Sequence, residues 1–125
     1  MSNDPLHFKY FSPPLLMISR IQIVQRGGIT AIIKAMDKYL DHVYVQAHGC
    51  LALGELAGTG TGWWSNDDTK LNIAKQGGID AIINALSTYP DHARVQEGGK
   101  MALKYLAENE NNKHEIIKKG GKKYV

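Results

Sequence analysis

An all-α fold built from repeated helical units is predicted by three observations. The stretch GGITAIIKAMDKYLDHVYVQAHGCLALGELA, residues 27–57, returns fifty residues later as GGIDAIINALSTYPDHARVQEGGKMALKYLA, residues 77–107. Within each copy the apolar residues recur at three-and-four spacing, which marks one buried face of a helix. Internal copies of this length are units that cannot bury their apolar faces alone and therefore stack on one another.

Residues 1–14 match neither copy. They combine Phe8, Tyr10 and Phe11 with Pro5, Pro13 and Pro14, the composition of an irregular or extended arm. Such an arm has three uses: a cap across the open face of the first unit, a free tail, or a reach onto another subunit. The first helix of each unit is expected at residues 17–26, 68–76 and 112–119. The last belongs to a third, partial copy, because Ile73-Ala-Lys-Gln-Gly77-Gly78 is echoed by Ile116-Ile-Lys-Lys-Gly120-Gly121. Glycine just past a helix tolerates positive φ, so each Gly-Gly pair is read as a helix stop and sharp turn. A phosphate cradle there would need a preceding strand, and none is predicted.

The second helices are expected at 29–39 and 79–89, with Ile29, Ile32, Ile33 and Met36 on one stripe and Ile79, Ile82, Ile83 and Leu86 on its counterpart. The third helices, 42–57 and 92–108, carry Val45, Gly49, Ala52, Leu53 and Leu56, matched by Val95, Gly99, Ala102, Leu103 and Leu106. Mid-stripe Gly49 and Gly99 each cost about 1 kcal/mol relative to alanine in a helix, so close helix contact is expected at both. Asp41-His42 and Asp91-His92 have the residue types of an acid-base pair or of metal ligands. Their place just before a long helix predicts instead that each aspartate caps the free N–H groups and complements the helix dipole.

A short helix ending in Gly-Gly, then I-x-A-I-I-x-A, then D-x-x-x-V-Q-x-x-G-x-x-A-L-x-x-L-A, resembles the armadillo repeat over roughly residues 17 to 121. The resemblance implies an armadillo-type α-solenoid. Its divisions would be an N-terminal arm or cap at 1–16, a first repeat at 17–66 with an inserted loop, a second at 67–111, and a partial third or cap at 112–125. It also implies a ladder of third-helix residues that lines a groove and grips extended peptides.

Residues that differ between the copies, off the buried stripe, are the candidates for partner contact. At 100° per residue, Tyr44, His48, Leu51 and Glu55 share a strip of the first long helix; their counterparts are Arg94, Gly98, Met101 and Tyr105. The import-receptor branch of the family carries Trp and Asn four residues apart on this strip. Here those slots hold Leu51 and Glu55, then Met101 and Tyr105, so recognition of basic localisation signals is not implied. The loop Gly58-Thr-Gly-Thr-Gly-Trp63-Trp64-Ser-Asn-Asp-Asp68 holds both tryptophans of the chain. Trp63 and Trp64 either fold over the junction of the units or offer a rigid contact surface.

Composition bounds the function. The formal charge of +3 is small for a nucleic-acid binder, although Lys113, Lys118, Lys119, Lys122 and Lys123 make the C-terminus basic. A lone cysteine, Cys50, and the lack of a membrane-length apolar run or a signal-type start favour a cytoplasmic protein away from membranes. No catalytic, metal or cofactor residues are assigned. The function expected is a non-enzymatic scaffold that binds protein or extended peptide. Two units and a fragment fall short of the roughly three that usually offset chain entropy, so a homo-oligomer, a dimer through open ends, is also expected. The alternative class is a basic helical-repeat protein that binds nucleic acid.

Overall fold

The computed structural model describes residues 15–58 and 67–125. Within them the secondary structure is helical: α1 (Leu15–Gln25), α2 (Gly28–Lys38), α3 (Val43–Ala57), α4 (Asp67–Lys75), α5 (Gly78–Thr88), α6 (Ala93–Leu106), α7 (Glu110–Lys118) and a closing 3-10 turn (Lys122–Tyr124). Every helix end lies within two residues of its expected place. The arm at 1–14 and the Trp63-Trp64 loop lie outside the described residues.

The turn that follows each short helix is made the same way three times. Gly27, Gly77 and Gly120 have φ of 83°, 93° and 88°, the left-handed region that side chains rarely adopt. The second glycine of each pair is there for a different reason. A Cβ at Gly28, Gly78 or Gly121 would sit 2.3, 2.4 or 2.7 Å from Cγ2 of Ile23, Ile73 or Ile116. The isoleucine that ends each short helix therefore folds back over the turn, and only a residue without a side chain leaves it room.

The next junction corrects one expectation. The residues at the helix start are His42 and His92, not the aspartates before them. His92 Nδ1 accepts from the Val95 N–H at 3.4 Å, whereas His42 makes no such bond. Asp41 and Asp91 stand one position too early, exposed in the turn. What holds this corner is the recurrent glutamine. Gln46 Nε2 donates to the carbonyls of Met36 and Tyr39, both at 2.9 Å. Gln96 Nε2 repeats the pattern on Leu86 at 3.0 Å and Tyr89 at 3.1 Å. The last carbonyls of α2 and α5 have no partner within their own helix, so an amide from the following helix satisfies them and sets the crossing of the pair.

The core forms where the two triplets meet, and α3 against α6 is the most extensive helix contact. Leu53, Ala57, Ile73, Ile82, Val95, Ala102, Leu103, Leu106 and Ile116 are fully enclosed. Each of the valine, leucine and isoleucine side chains among them contributes roughly 1.5–3 kcal/mol on burial. Gly49 and Gly99 allow the close approach expected of them, since added Cβ atoms would fall 2.5 Å from Met36 Cγ and 2.6 Å from Leu86 Cδ2. Polar contacts join consecutive units in register. The Thr30 hydroxyl donates to Gln76 Oε1, the Tyr89 hydroxyl donates to the Leu40 carbonyl at 2.9 Å, and Lys119 Nζ donates to Asp80 at 2.9 Å. The hydrogen bond and charge of Asp80 raise the Lys119 ammonium above its ordinary pKa.

Burial departs from the repeat on the face of the second triplet that α2 and α3 cover. Ile82 and Val95 are sealed, while their counterparts Ile32 and Val45 are only half-buried. The second triplet has α2 and α3 packed over it, and the first has no helix among the described residues in that position.

Candidate functional site

The closeness of α3 and α6 is a consequence of small residues. A Cβ on Gly98 would lie 3.3 Å from the Leu51 amide nitrogen, 3.5 Å from the Ala47 carbonyl and 3.5 Å from Cys50 Cβ. Gly54 opposes the backbone of Ala102 and the tip of Met101 in the same manner. Two helices that meet at glycine and alanine leave larger residues on either side to form the walls of a furrow.

That furrow is a groove of about 330 Å³ lined by Ala47, His48, Leu51, Arg94, Glu97, Gly98 and Met101. Its surface is mostly apolar: Leu51 is 42% exposed and Met101 half-buried. His48, Arg94 and Glu97 stand exposed at the rim. The arrangement pairs a shallow apolar seat with one cation, one carboxylate and one imidazole, the makings of a site that takes an apolar side chain and fixes its flanks by charge.

Four of the predicted contact residues, His48, Leu51, Arg94 and Met101, are brought together here. The others are not. Tyr44 borders the neighbouring groove with Ile32, Ala35 and Val45, and its ring meets His92 edge-on at 6.1 Å. Glu55 faces Arg20 at 3.3 Å. Tyr105 is half-buried against the core, with its ring edge 3.0 Å from where a Gly58 Cβ would be. Trp63 and Trp64 lie in the undescribed loop. One lining residue that sequence reasoning passed over is Glu97. It lies three residues after Arg94 and four before Met101, so helical spacing alone placed it on the same strip.

Cys50 is enclosed, and burial pushes its thiol up to about 12. The thiolate is the reactive form, so this sulfur is chemically quiet at neutral pH. Among the described residues no cluster of three or more His, Cys, Asp or Glu is placed to hold a metal ion. No helix among them is long and apolar enough to cross a membrane. Compared with known proteins, the chain matches no family model, no curated protein and no solved structure.

Proposed function

We infer that the chain is an armadillo-type α-solenoid acting as a non-enzymatic protein-interaction module, and that it grips a short extended peptide in the groove between α3 and α6. The observation that carries this reading is the sorting of residues. Most of those shared by the two copies form the core, the turns and the carbonyl-capping amides, while several that differ and lie on one face, His48, Leu51, Arg94 and Met101, line a single furrow. A structural constraint repeats with the scaffold; a recognition surface has no reason to. The triplet helices, their matching turns and the register contacts between units support the solenoid part of the reading. The nucleic-acid alternative draws on the C-terminal lysines, of which Lys119 is already engaged by Asp80.

The ligand expected is a peptide with an apolar residue for the Leu51–Met101 seat, an acidic residue towards Arg94 and a basic one towards Glu97. Selection from a random displayed peptide library tests it. The full chain should enrich a consensus of that kind, and the exposed-site variants Leu51→Asp and Arg94→Glu should lose the enrichment while melting within a few degrees of the parent. Absence of a consensus, or one that survives both substitutions, overturns the assignment of the groove.

A further inference from the structure

The face of α1, α2 and α3 that points away from α4 to α6 is, in register, the surface that α3 covers on the second triplet. Ile23 is 46% exposed where Ile73 is 0%. Ile32, Val45 and Ala52 are half-buried where Ile82, Val95 and Ala102 are each 0%. Three adjoining grooves of about 450, 430 and 230 Å³ open on this face, sharing Ser19, Ile23, Ile32 and Ala52 among their walls.

The covered copy shows what fits such a surface. The covering helix offers small residues, with Ala47, Cys50 and the Leu51 backbone seated against Gly98. The covering unit also makes a polar contact at a fixed position. The residue before each Gly-Gly pair meets the first turn of the neighbour's second helix: Gln76 meets Thr30, and Lys119 meets Asp80 at 2.9 Å. In the first triplet, whose matching face no helix among the described residues covers, that residue is Arg26, exposed and without an ion pair among the described residues. On this pattern, and resting on the repeat reading above, we propose that the face docks a helical hairpin of a partner protein that presents small residues at α3-like spacing and a carboxylate in its first turn opposite Arg26.

Charge decides against a second copy as the occupant. The strip of α6 equivalent to Ala47, Cys50 and Gly54 is Glu97, Lys100 and Lys104, which would set charges on an apolar seat. Asp80, the carboxylate at the matching position, is held by Lys119. A second copy's own face would bring Arg26 no free carboxylate from the described residues, since the carboxylate lining the three grooves, Glu55, is 3.3 Å from Arg20. These charges favour a partner protein over a second copy as the occupant of this face.

Methyl NMR of the full chain with a soluble paramagnetic reagent reads the face directly. Alone, at any concentration, Ile23 and Ile32 methyls should broaden while Ile73 and Ile82 methyls do not. The probe is a synthetic hairpin of residues 28–57 carrying Thr30→Asp, the chain's own covering element with the carboxylate added. The same hairpin tethered by a flexible linker ahead of residue 1 removes the need for it to fold alone. Either form should shield Ile23 and Ile32. Arg26→Glu should weaken the untethered complex about fivefold, the effect of an exposed ion pair, and a Thr30→Lys probe should restore it. Shielding already present in the dilute chain, shielding that appears only as its concentration rises, or a tethered hairpin that leaves the methyls open overturns the proposal. Broadened Ile73 and Ile82 methyls would instead break the repeat reading beneath it.

Discussion

Exchanging a residue for its own counterpart in the other copy gives the sharpest test of how α3 and α6 meet. At one register position the first copy has exposed His48 and the second has buried Gly98. Gly98→His places an imidazole where a Cβ is already 3.3 Å from the Leu51 nitrogen and 3.5 Å from the Ala47 carbonyl. Overpacking of this kind costs about 1–3 kcal/mol, and burying a ring nitrogen without a partner adds about 1–3 kcal/mol. Helix propensity returns only about 0.4 kcal/mol of that. A net loss of about 2–5 kcal/mol corresponds to a melting temperature lower by about 8–20 °C at roughly 4 °C per kcal/mol. The reverse change, His48→Gly, disturbs no packing and should cost about 0.5 kcal/mol, or about 2 °C. Gly98→Ala should be near neutral, because the propensity gain offsets a tight but tolerable contact. Thermal melts followed by far-UV circular dichroism, with urea midpoints as a check, measure all three. Equal losses for Gly98→His and His48→Gly would refute the reasoning, since the asymmetry has no source other than α3 lying on α6.

Gln96→Ala strips two hydrogen bonds from the carbonyls that end α5 and should lower urea stability by about 2 kcal/mol, while Gln96→Glu, which cannot donate, should not rescue it. Cys50 should resist iodoacetamide at pH 8 until urea opens the fold. Because burial raises its folded pKa to about 12 from the ordinary 9.0, its stabilising contribution is complete below about pH 9 and is lost as pH climbs towards 12, so Cys50→Ala should flatten the alkaline limb of the stability profile. Asp80→Asn should let the Lys119 ammonium titrate lower than in the parent, as seen by NMR at Cε. The support Lys119 draws from Asp80 is present below the unfolded value of 10.5 and fades above it.

Much of the fold was open to inspection in the chain itself. Helix bounds followed from the apolar spacing, and the turns from Gly-Gly, because both are local properties repeated nearly unchanged. Gln46 and Gln96 also recurred in plain view, yet their purpose did not follow. An amide that satisfies carbonyls seven and ten residues earlier can be recognised only when the crossing of two helices is known. The Asp-His doublet shows the opposite failure. A one-residue difference in where α3 and α6 begin moved the capping position from aspartate to histidine, and helix ends are set by tertiary fit as much as by composition.

The candidate site divides along the same line. Helical periodicity put Tyr44, His48, Leu51 and Glu55 on one strip, but it did not say which of them share a furrow with the second copy. Packing assigned Glu55 to Arg20 and brought His48 and Leu51 beside Arg94 and Met101. The amino-acid order by itself determined the helices, their turns and their repetition, because backbone propensity and apolar spacing act over a few residues. Only the tertiary structure decided which register-equal positions are covered, since burial depends on what lies next to a surface: Ile73 has α3 and its neighbours over it, and Ile23, with the same local sequence logic, does not.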